Sequence, residues 1–189
     1  LDLSFERFIS YSQTELAGLR VLVTAVNHPC TIQLHTGINS HVANDNLLHW
    51  QQLGQGEAAD GVVWWNGRTR HTQIELGMAA TLSTSAGNSI SCQNCPGHPR
   101  LTVTHQLEPA QTLQIDKIVA VTTSREQVAD AADVVSRALA ACRAAEYETL
   151  RRAHQNAWHH VWQDCDVIIE GDDEVQLATR FNLFQLLVA

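Results

Sequence analysis

The sequence predicts an antiparallel β-sandwich followed by a helical connector and the beginning of a further helical domain. Through the first two thirds of the chain, apolar residues recur at every second position, which is the period of half-buried strands. Gly, Pro and Asn residues separate these segments, with no helical pattern between them, and this favours antiparallel pairing. From Ser124 onward the apolar period becomes that of an α-helix, so the helices follow the sheets along the chain.

The strands are predicted from this alternation. Residues 73–82 show it most clearly, since apolar residues occupy every second position from 74 to 82. Residues 1–11 have the pattern of an opening strand that changes face once. Further strand segments are predicted at 19–25, 32–34, 62–65, 101–104 and 113–121.

Three helices are predicted after the strands. Ser124 and Gln127 have the spacing of a capping box, and apolar residues at helical intervals follow them. A second helix is predicted over 147–165, and a short extended segment over 166–170. The third helix begins near Asp172, where three consecutive acids place negative charge at the positive end of the helix dipole.

The composition indicates a folded domain and excludes several classes of partner. Of the 189 residues, 44% are hydrophobic and 17% are charged, which excludes a disordered or fibrous protein. The net charge is -8 and Lys117 is the single lysine, so we expect no nucleic-acid partner. No apolar run approaches the ~18 residues that a membrane span needs.

The cysteines suggest the compartment in which the protein resides, and the chain ends suggest that it is part of a longer protein. Five cysteines, an odd number, and a start without a secretory pattern predict reduced thiols in the cytoplasm. The chain begins at Leu1, its one methionine is Met78, and it stops on an apolar run without a cap. We therefore expect it to have been cut from a longer protein.

Cysteine and histidine provide the candidate metal ligands. Cys92 and Cys95 form a C-x2-C pair and His98 follows three residues later, so these residues could bind zinc. The alternative, which we favour, is a hairpin tip with two free thiols, because a second ligand pair at matching distance is lacking. The histidines at 154, 159 and 160 are offset by five and six, so they do not share a helix face and are expected to be surface or packing residues.

Tryptophans and carboxylates are the candidates for sugar chemistry. Trp50, Trp64 and Trp65 could stack on sugar rings, and core packing is the alternative for each of them. Cleavage of a glycosidic bond needs positioned carboxylates, and acids cluster within residues 164–174. Helix capping and a solvated connector explain that cluster without any chemistry, and we adopt this interpretation.

Several segments carry a resemblance to a known family. The connector contributes the pattern H-x3-W-x3-W, formed by His154, Trp158 and Trp162. The other segments are ERFIS at 6–10, LRVLVT at 19–24, IQL at 32–34 with GINS and VAN after it, DVIIEGD at 166–172 and RFNLFQLL at 180–187. In this order they resemble glycoside hydrolase family 65, which includes the maltose, trehalose and kojibiose phosphorylases. The resemblance covers nearly the whole chain and is weakest across residues 57–99.

The resemblance implies a galactose-mutarotase-like super-sandwich, a helical linker and an (α/α)6 barrel that holds the active site. Residues 1–124 would be later strands of the N-terminal sandwich, 125–171 the linker, and 172–189 the first helix of a truncated barrel. Family members use a Glu of the barrel as general acid while inorganic phosphate attacks the anomeric carbon with inversion. Neither the motif around that Glu nor the phosphate loop is matched here, so no catalytic residue is assigned, and no cofactor is implied besides phosphate as co-substrate.

The implied function is that of a non-catalytic part of an inverting disaccharide phosphorylase. The parent enzyme would convert maltose, trehalose or kojibiose to β-glucose 1-phosphate and glucose, and this part would support the barrel and a homodimer. Two alternatives stay open: a stand-alone carbohydrate-binding sandwich, and part of a family 65 hydrolase of the acid trehalase type. Arg180 and Asn182 are expected to pack in the barrel wall, and the apolar stripe of the third helix predicts self-association of the isolated chain.

Overall fold

The computed structural model describes residues 1–43, 45–126 and 133–188. Within these ranges the chain forms nine strands and three helices. The strands are β1 (Asp2–Ile9), β2 (Leu16–Thr24), β3 (Cys30–Gly37), β4 (Trp50–Ala58), β5 (Val62–Thr69), β6 (Glu75–Thr84), β7 (Ser91–Cys95), β8 (His98–Leu107) and β9 (Thr112–Thr123). The helices are α1 (Val134–Ala144), α2 (Tyr147–Cys165) and α3 (Asp173–Leu187).

The strands form two antiparallel sheets, which confirms the predicted class of mainly β-structure followed by helices. The larger sheet has six strands in the order β1-β2-β9-β6-β5-β4, and the smaller has three in the order β3-β8-β7. Side chains from both sheets meet in one apolar core. Its most deeply buried members include Val63, Trp65, Leu101, Val103, Leu107, Leu113 and Ile115.

Strand β9 is covered on both of its faces. Leu113 and Ile115 point into the core between the sheets, and Ile118 and Ala120 point to the opposite side, against the helices. A strand buried on both faces contains apolar residues at nearly every position, which is why the region 113–121 is recognisable as a strand.

Helix α1 packs on the outer face of the large sheet, but it starts later than the sequence predicts. Its N-cap is Asp133, whose carboxylate accepts a hydrogen bond from the backbone N–H of Ser136 at 2.9 Å. The proposed cap Ser124 lies in a turn instead, where its hydroxyl accepts the backbone N–H of Glu75 at 3.0 Å. Its predicted capping-box partner Gln127, and the predicted first turns up to residue 132, lie outside the described residues.

The other two helices match the prediction closely. Helix α2 spans Tyr147–Cys165 and is capped by the side chain of Glu146. Helix α3 is capped by Asp172, whose carboxylate accepts the backbone N–H groups of Glu174 and Val175. Its apolar side chains Leu177 and Phe181 are exposed to solvent. None of the described helices is both long enough and apolar enough to cross a membrane.

The sequence pattern did not predict two of the strands, and it did not indicate the solvent exposure of a third. Strands β4 and β7 were not predicted: β4 alternates weakly because it lies at a sheet edge, and β7 has only five residues. Strand β1 exists as expected, but its apolar side chains Leu3, Phe5 and Ile9 are exposed, with Phe5 retaining 64% of its accessible surface.

Candidate functional site

The three candidate sugar-binding tryptophans do not form one platform. Trp65 is 2% exposed and lies in the core, where Trp50 packs edge-on against it with ring centroids 6.0 Å apart. Trp64, the next residue along β5, points to the opposite face of the sheet and lies over Gly54 and Gly56 of β4. Trp65 therefore presents no ring face to a ligand, whereas Trp50 and Trp64 keep partial exposure on opposite sides of the sheet.

The candidate zinc ligands lie at a hairpin tip, where Cys92 points away from Cys95 and His98. Cys92 and Cys95 are three positions apart on β7, so their side chains lie on opposite faces of that strand. Cys92 packs against the core, and burial raises the pKa of its thiol. Cys95 faces His98 across the hairpin. In the part of the chain that the structure describes, no three His, Cys, Asp or Glu side chains are placed to hold a metal ion.

Helices α2 and α3 border a groove lined mainly by aromatic side chains, which we call the aromatic groove. It encloses about 430 Å³ and is bordered by His154, Gln155, Trp158, His159, Trp162 and Phe184. Five of these residues belong to α2, and Phe184 comes from α3. The groove thus contains all three residues of the H-x3-W-x3-W motif.

Helical spacing explains how the motif builds this groove. Residues four apart on a helix are neighbours on its surface, so His154, Trp158 and Trp162 form a continuous row. The two tryptophan rings have centroids 6.4 Å apart, and Phe184 approaches Trp158 to 5.4 Å. The ring of Tyr11, which follows β1, also packs against Trp158, with ring centroids 5.1 Å apart. The row is therefore supported from both the sheet and α3.

His154 serves as a packing residue within the row. Its ring stacks on Phe8 at 4.9 Å, and its Nδ1 accepts the backbone N–H of Tyr11 at 3.2 Å. Burial lowers the pKa of His154, which favours the neutral imidazole that this accepting role requires. The expectation of a packing histidine fits this position.

A charged network attaches the beginning of α2 to the large sheet. Arg20 of β2 donates two hydrogen bonds to Asp116 of β9, at 2.7 and 2.9 Å, and a third to Glu148 of α2 at 3.3 Å. Its guanidinium group also lies 4.1 Å from the centre of the Tyr147 ring. The sequence gives no indication of this role of Arg20, because a charged residue on a strand carries no signal of a partner 128 positions away.

A second attachment lies one turn further along α2. Arg151 donates to the Glu6 carboxylate of β1 at 2.7 Å, and the Tyr147 hydroxyl donates to the same carboxylate at 3.2 Å. The hydrogen bond from Arg151 is the main reason that the pKa of Glu6 is lowered. The aromatic groove therefore occupies a defined position relative to the sheets.

The acids near the connector are used for capping and ion pairing. Asp166 accepts two hydrogen bonds from Arg180, at 2.9 and 2.5 Å, which lowers the pKa of Asp166 and joins the extended segment to α3. Asp172 caps α3, as described above. Among the described residues, the aromatic groove is lined by three aromatic rings, two imidazoles and one amide, with no carboxylate.

Comparison with known proteins assigns the chain to a family. The model of the glycosyl hydrolase family 65 N-terminal domain matches residues 1–161. The chain belongs to glycosyl hydrolase family 65. The kojibiose phosphorylase of Halothermothrix orenii is 28% identical over 98% of this chain and 25% of its own length. The maltose phosphorylase of Bacillus subtilis is 28% identical over 96% of the chain and 25% of its length.

Further relatives support the same family assignment. The alpha,alpha-trehalose phosphorylase of Thermoanaerobacter brockii is 24% identical over 99% of the chain and 26% of its length. A solved structure, titled a putative kojibiose phosphorylase from human microbiome, superposes with a TM-score of 0.83 at 18% identity. It covers 97% of this chain and 24% of that protein, and shows the shared fold. The family 65 chain thus spans about a quarter of the length of these relatives.

Proposed function

We propose that this chain is a non-catalytic part of an inverting disaccharide phosphorylase and that its aromatic groove carries the catalytic barrel. The observation that supports this most directly is the family match to residues 1–161, because the matched relatives include kojibiose, maltose and trehalose phosphorylases. The parent enzyme would use inorganic phosphate and an α-glucosyl disaccharide to form β-glucose 1-phosphate and glucose.

The proposed organisation keeps the divisions that the family resemblance implies. Residues 1–124 belong to the sandwich, 125–171 to the linker and 172–189 to the first barrel helix. Leu177, Phe181 and Phe184 are spaced at i, i+4 and i+7 on α3, so they share one face of the helix, and Phe184 also borders the groove. A barrel packed on this face would cover the exposed side chains and the groove together, and burial of such apolar area is the main favourable term in association of this kind.

Activity of the full gene product tests the proposed reaction. The purified enzyme is incubated with kojibiose, maltose or trehalose, with and without inorganic phosphate, and the anomer of the glucose phosphate is identified by NMR. We expect β-glucose 1-phosphate from one disaccharide in the presence of phosphate. Release of two glucose molecules without any need for phosphate would instead support the hydrolase alternative, of the acid trehalase type.

A substitution in the aromatic groove tests the supporting role. Trp158→Ala is expected to lower the free energy of unfolding of the full enzyme by at least about 2 kcal/mol more than that of the isolated chain, in which Trp158 keeps its contacts with Tyr11 and Phe184 but has no barrel against it. His160→Ala is the matched control, because His160 is exposed on the same helix and does not line the groove. Equal melting curves for the two variants would refute the proposed contact with the barrel.

Sugar binding by the β-domain is a second candidate function. It is favoured only by the partial exposure of Trp50 and Trp64. Calorimetric titration with the same three disaccharides tests it, and absence of heat at millimolar sugar would exclude it.

We further propose a homodimeric enzyme in the cytoplasm. Light scattering of the eluted full enzyme tests the dimer, and cell fractionation tests the location. A monomeric mass would contradict the first proposal, and recovery of the enzyme outside the cytoplasm the second.

A further inference from the structure

The larger sheet extends beyond the smaller one and leaves apolar side chains uncovered on its inner face. Leu3 and Phe5 of β1 lie directly opposite Val23 and Val21 of β2. Residues directly opposite in an antiparallel pair point to the same face, and both valines are buried in the core. Leu3 and Phe5 therefore face the same side as the core, yet both are largely exposed.

Two adjoining cavities mark this uncovered area, which we call the inner groove. One of about 530 Å³ is bordered by β1, β2 and β9. The other, of about 160 Å³, lies between β1, β2 and the smaller sheet. Leu19 and Lys117 border both cavities, so the two cavities adjoin at Lys117.

Lys117 is an unusual group for this location. It is partly buried on the core-facing side of β9, opposite Leu19. Its ammonium group donates to the Thr36 hydroxyl at 2.8 Å and to the Gly37 carbonyl at 3.0 Å. Among the described residues, no carboxylate lies within ion-pair distance of it, and desolvation lowers its pKa. An ammonium group can donate three hydrogen bonds, so one donor is left for a partner in the groove.

Strand β3 presents an open edge beside the same groove. Within the part of the chain that the structure describes, it is the terminal strand of the smaller sheet and pairs only with β8. Leu34 and Thr36 of β3 line the smaller cavity. Unpaired backbone groups at a strand edge are a template for another strand. A strand added to β3 would widen the smaller sheet to cover β2 and β1.

We propose that a further β-strand of the same polypeptide, from outside residues 1–189, lies along β3 over the inner groove and carries a carboxylate that pairs with Lys117. The apolar row on β1 requires alternating apolar residues on that strand, and the ammonium group requires an acid among them. Because the chain spans about a quarter of its relatives' length, the same polypeptide is the source to which we commit. The inference does not depend on the reaction that the enzyme catalyses.

Carbodiimide cross-linking of the full gene product tests this proposal without relying on activity. The reagent joins a carboxylate to an amine only when the two are in contact, and Lys117 is the single lysine of residues 1–189. Digestion and mass spectrometry then identify the peptide attached to Lys117. We expect the attached peptide to carry an acid from outside residues 1–189. When isotopically light and heavy enzyme are mixed before cross-linking, the two joined peptides should be either both light or both heavy.

Each other outcome would overturn the proposal. Mixed light and heavy pairs would show that a second copy occupies the groove. A cross-link to an acid within residues 1–189 would show that Lys117 is already neutralised by this chain. Absence of any cross-link at Lys117 would show that no carboxylate contacts it. Substitution Lys117→Met supplies the background for the assay, and the wild-type result stands even if this variant does not fold.

Discussion

Replacing Gly77 of β6 by alanine is expected to push the first turn of α1 away from the sheet. A Cβ atom built on Gly77 would lie 2.4 Å from the carbonyl oxygen of Val134 and 2.8 Å from the backbone nitrogen of Val135. These are backbone atoms of a helix and cannot rotate aside, so the helix itself must move. The same carbonyl accepts a 2.6 Å hydrogen bond from the buried Thr122 hydroxyl, and this bond would be stretched.

The magnitude follows from these distances. Carbon–oxygen contacts relax to about 3.3–3.6 Å, so the helix start must shift by about 1 Å. Overpacking of this kind costs about 1–3 kcal/mol, and weakening the Thr122 hydrogen bond costs about 1 kcal/mol more. Replacing a strand glycine by alanine returns about 0.5–1 kcal/mol. The net loss of about 1–3 kcal/mol corresponds, for a chain of this length, to a melting temperature lower by roughly 3–10 °C.

Thermal and urea denaturation followed by circular dichroism measures this loss. The matched control is Gly54→Ala in β4 of the same sheet, where the added Cβ would meet the Trp64 ring at 3.4 Å, an ordinary contact. We expect Gly54→Ala to be as stable as the wild type or slightly more stable. Equal stability of the Gly77 and Gly54 variants would refute the claim that α1 is packed tightly against β6.

Three further predictions concern titration, thiol reactivity and association. Burial and the nearby Glu6 carboxylate raise the pKa of Tyr147 to about 12. The neutral phenol therefore contributes to the free energy of unfolding at pH values below the ordinary tyrosine pKa of about 10, and this contribution is lost as the pH rises towards 12. Ultraviolet titration should show a late tyrosine step that Tyr147→Phe removes, and its persistence in that variant would contradict the assignment. Burial raises the pKa of the Cys142 thiol to about 11. Pulsed alkylation followed by mass spectrometry should therefore label Cys142 far more slowly than Cys95. Equal labelling rates would show that α1 opens readily. Phe181→Gln should reduce self-association of the isolated chain in size-exclusion chromatography, and an unchanged elution volume would show that α3 does not mediate it.

The sequence predicted secondary structure best where a strand or helix buries apolar side chains that recur at a regular interval. Strands β6 and β9 were predicted because their alternation matches a real core, and α2 because its apolar residues share one side. Strand β4 was missed, since an edge strand exposes many of its side chains and resembles a loop in sequence. The start of α1 was misplaced because Ser124 has a capping residue's chemistry but satisfies a strand donor instead.

The candidate site was predictable only in part. The H-x3-W-x3-W spacing places three rings in a row on any helix, so the aromatic groove follows from local sequence. The contact of Tyr11 with Trp158 joins residues 147 positions apart, and no local pattern indicates it. Adjacent tryptophans on a strand necessarily face opposite ways, so the spacing of Trp64 and Trp65 already argued against a shared platform.

The two attachments of α2 determine what the connector can do in a family 65 enzyme. A helix held at one point can still pivot, whereas attachments at Arg20 and, one turn later, at Arg151 fix its direction against the sheet. Single exposed ion pairs contribute little stability, but a bidentate guanidinium–carboxylate pair such as that of Arg20 and Asp116 restricts geometry strongly. The position of the aromatic groove is therefore set by the β-domain before any barrel packs on it. Under the organisation proposed above, a connector attached in this way would act as a rigid template for the catalytic domain and not as a flexible tether between two independent units.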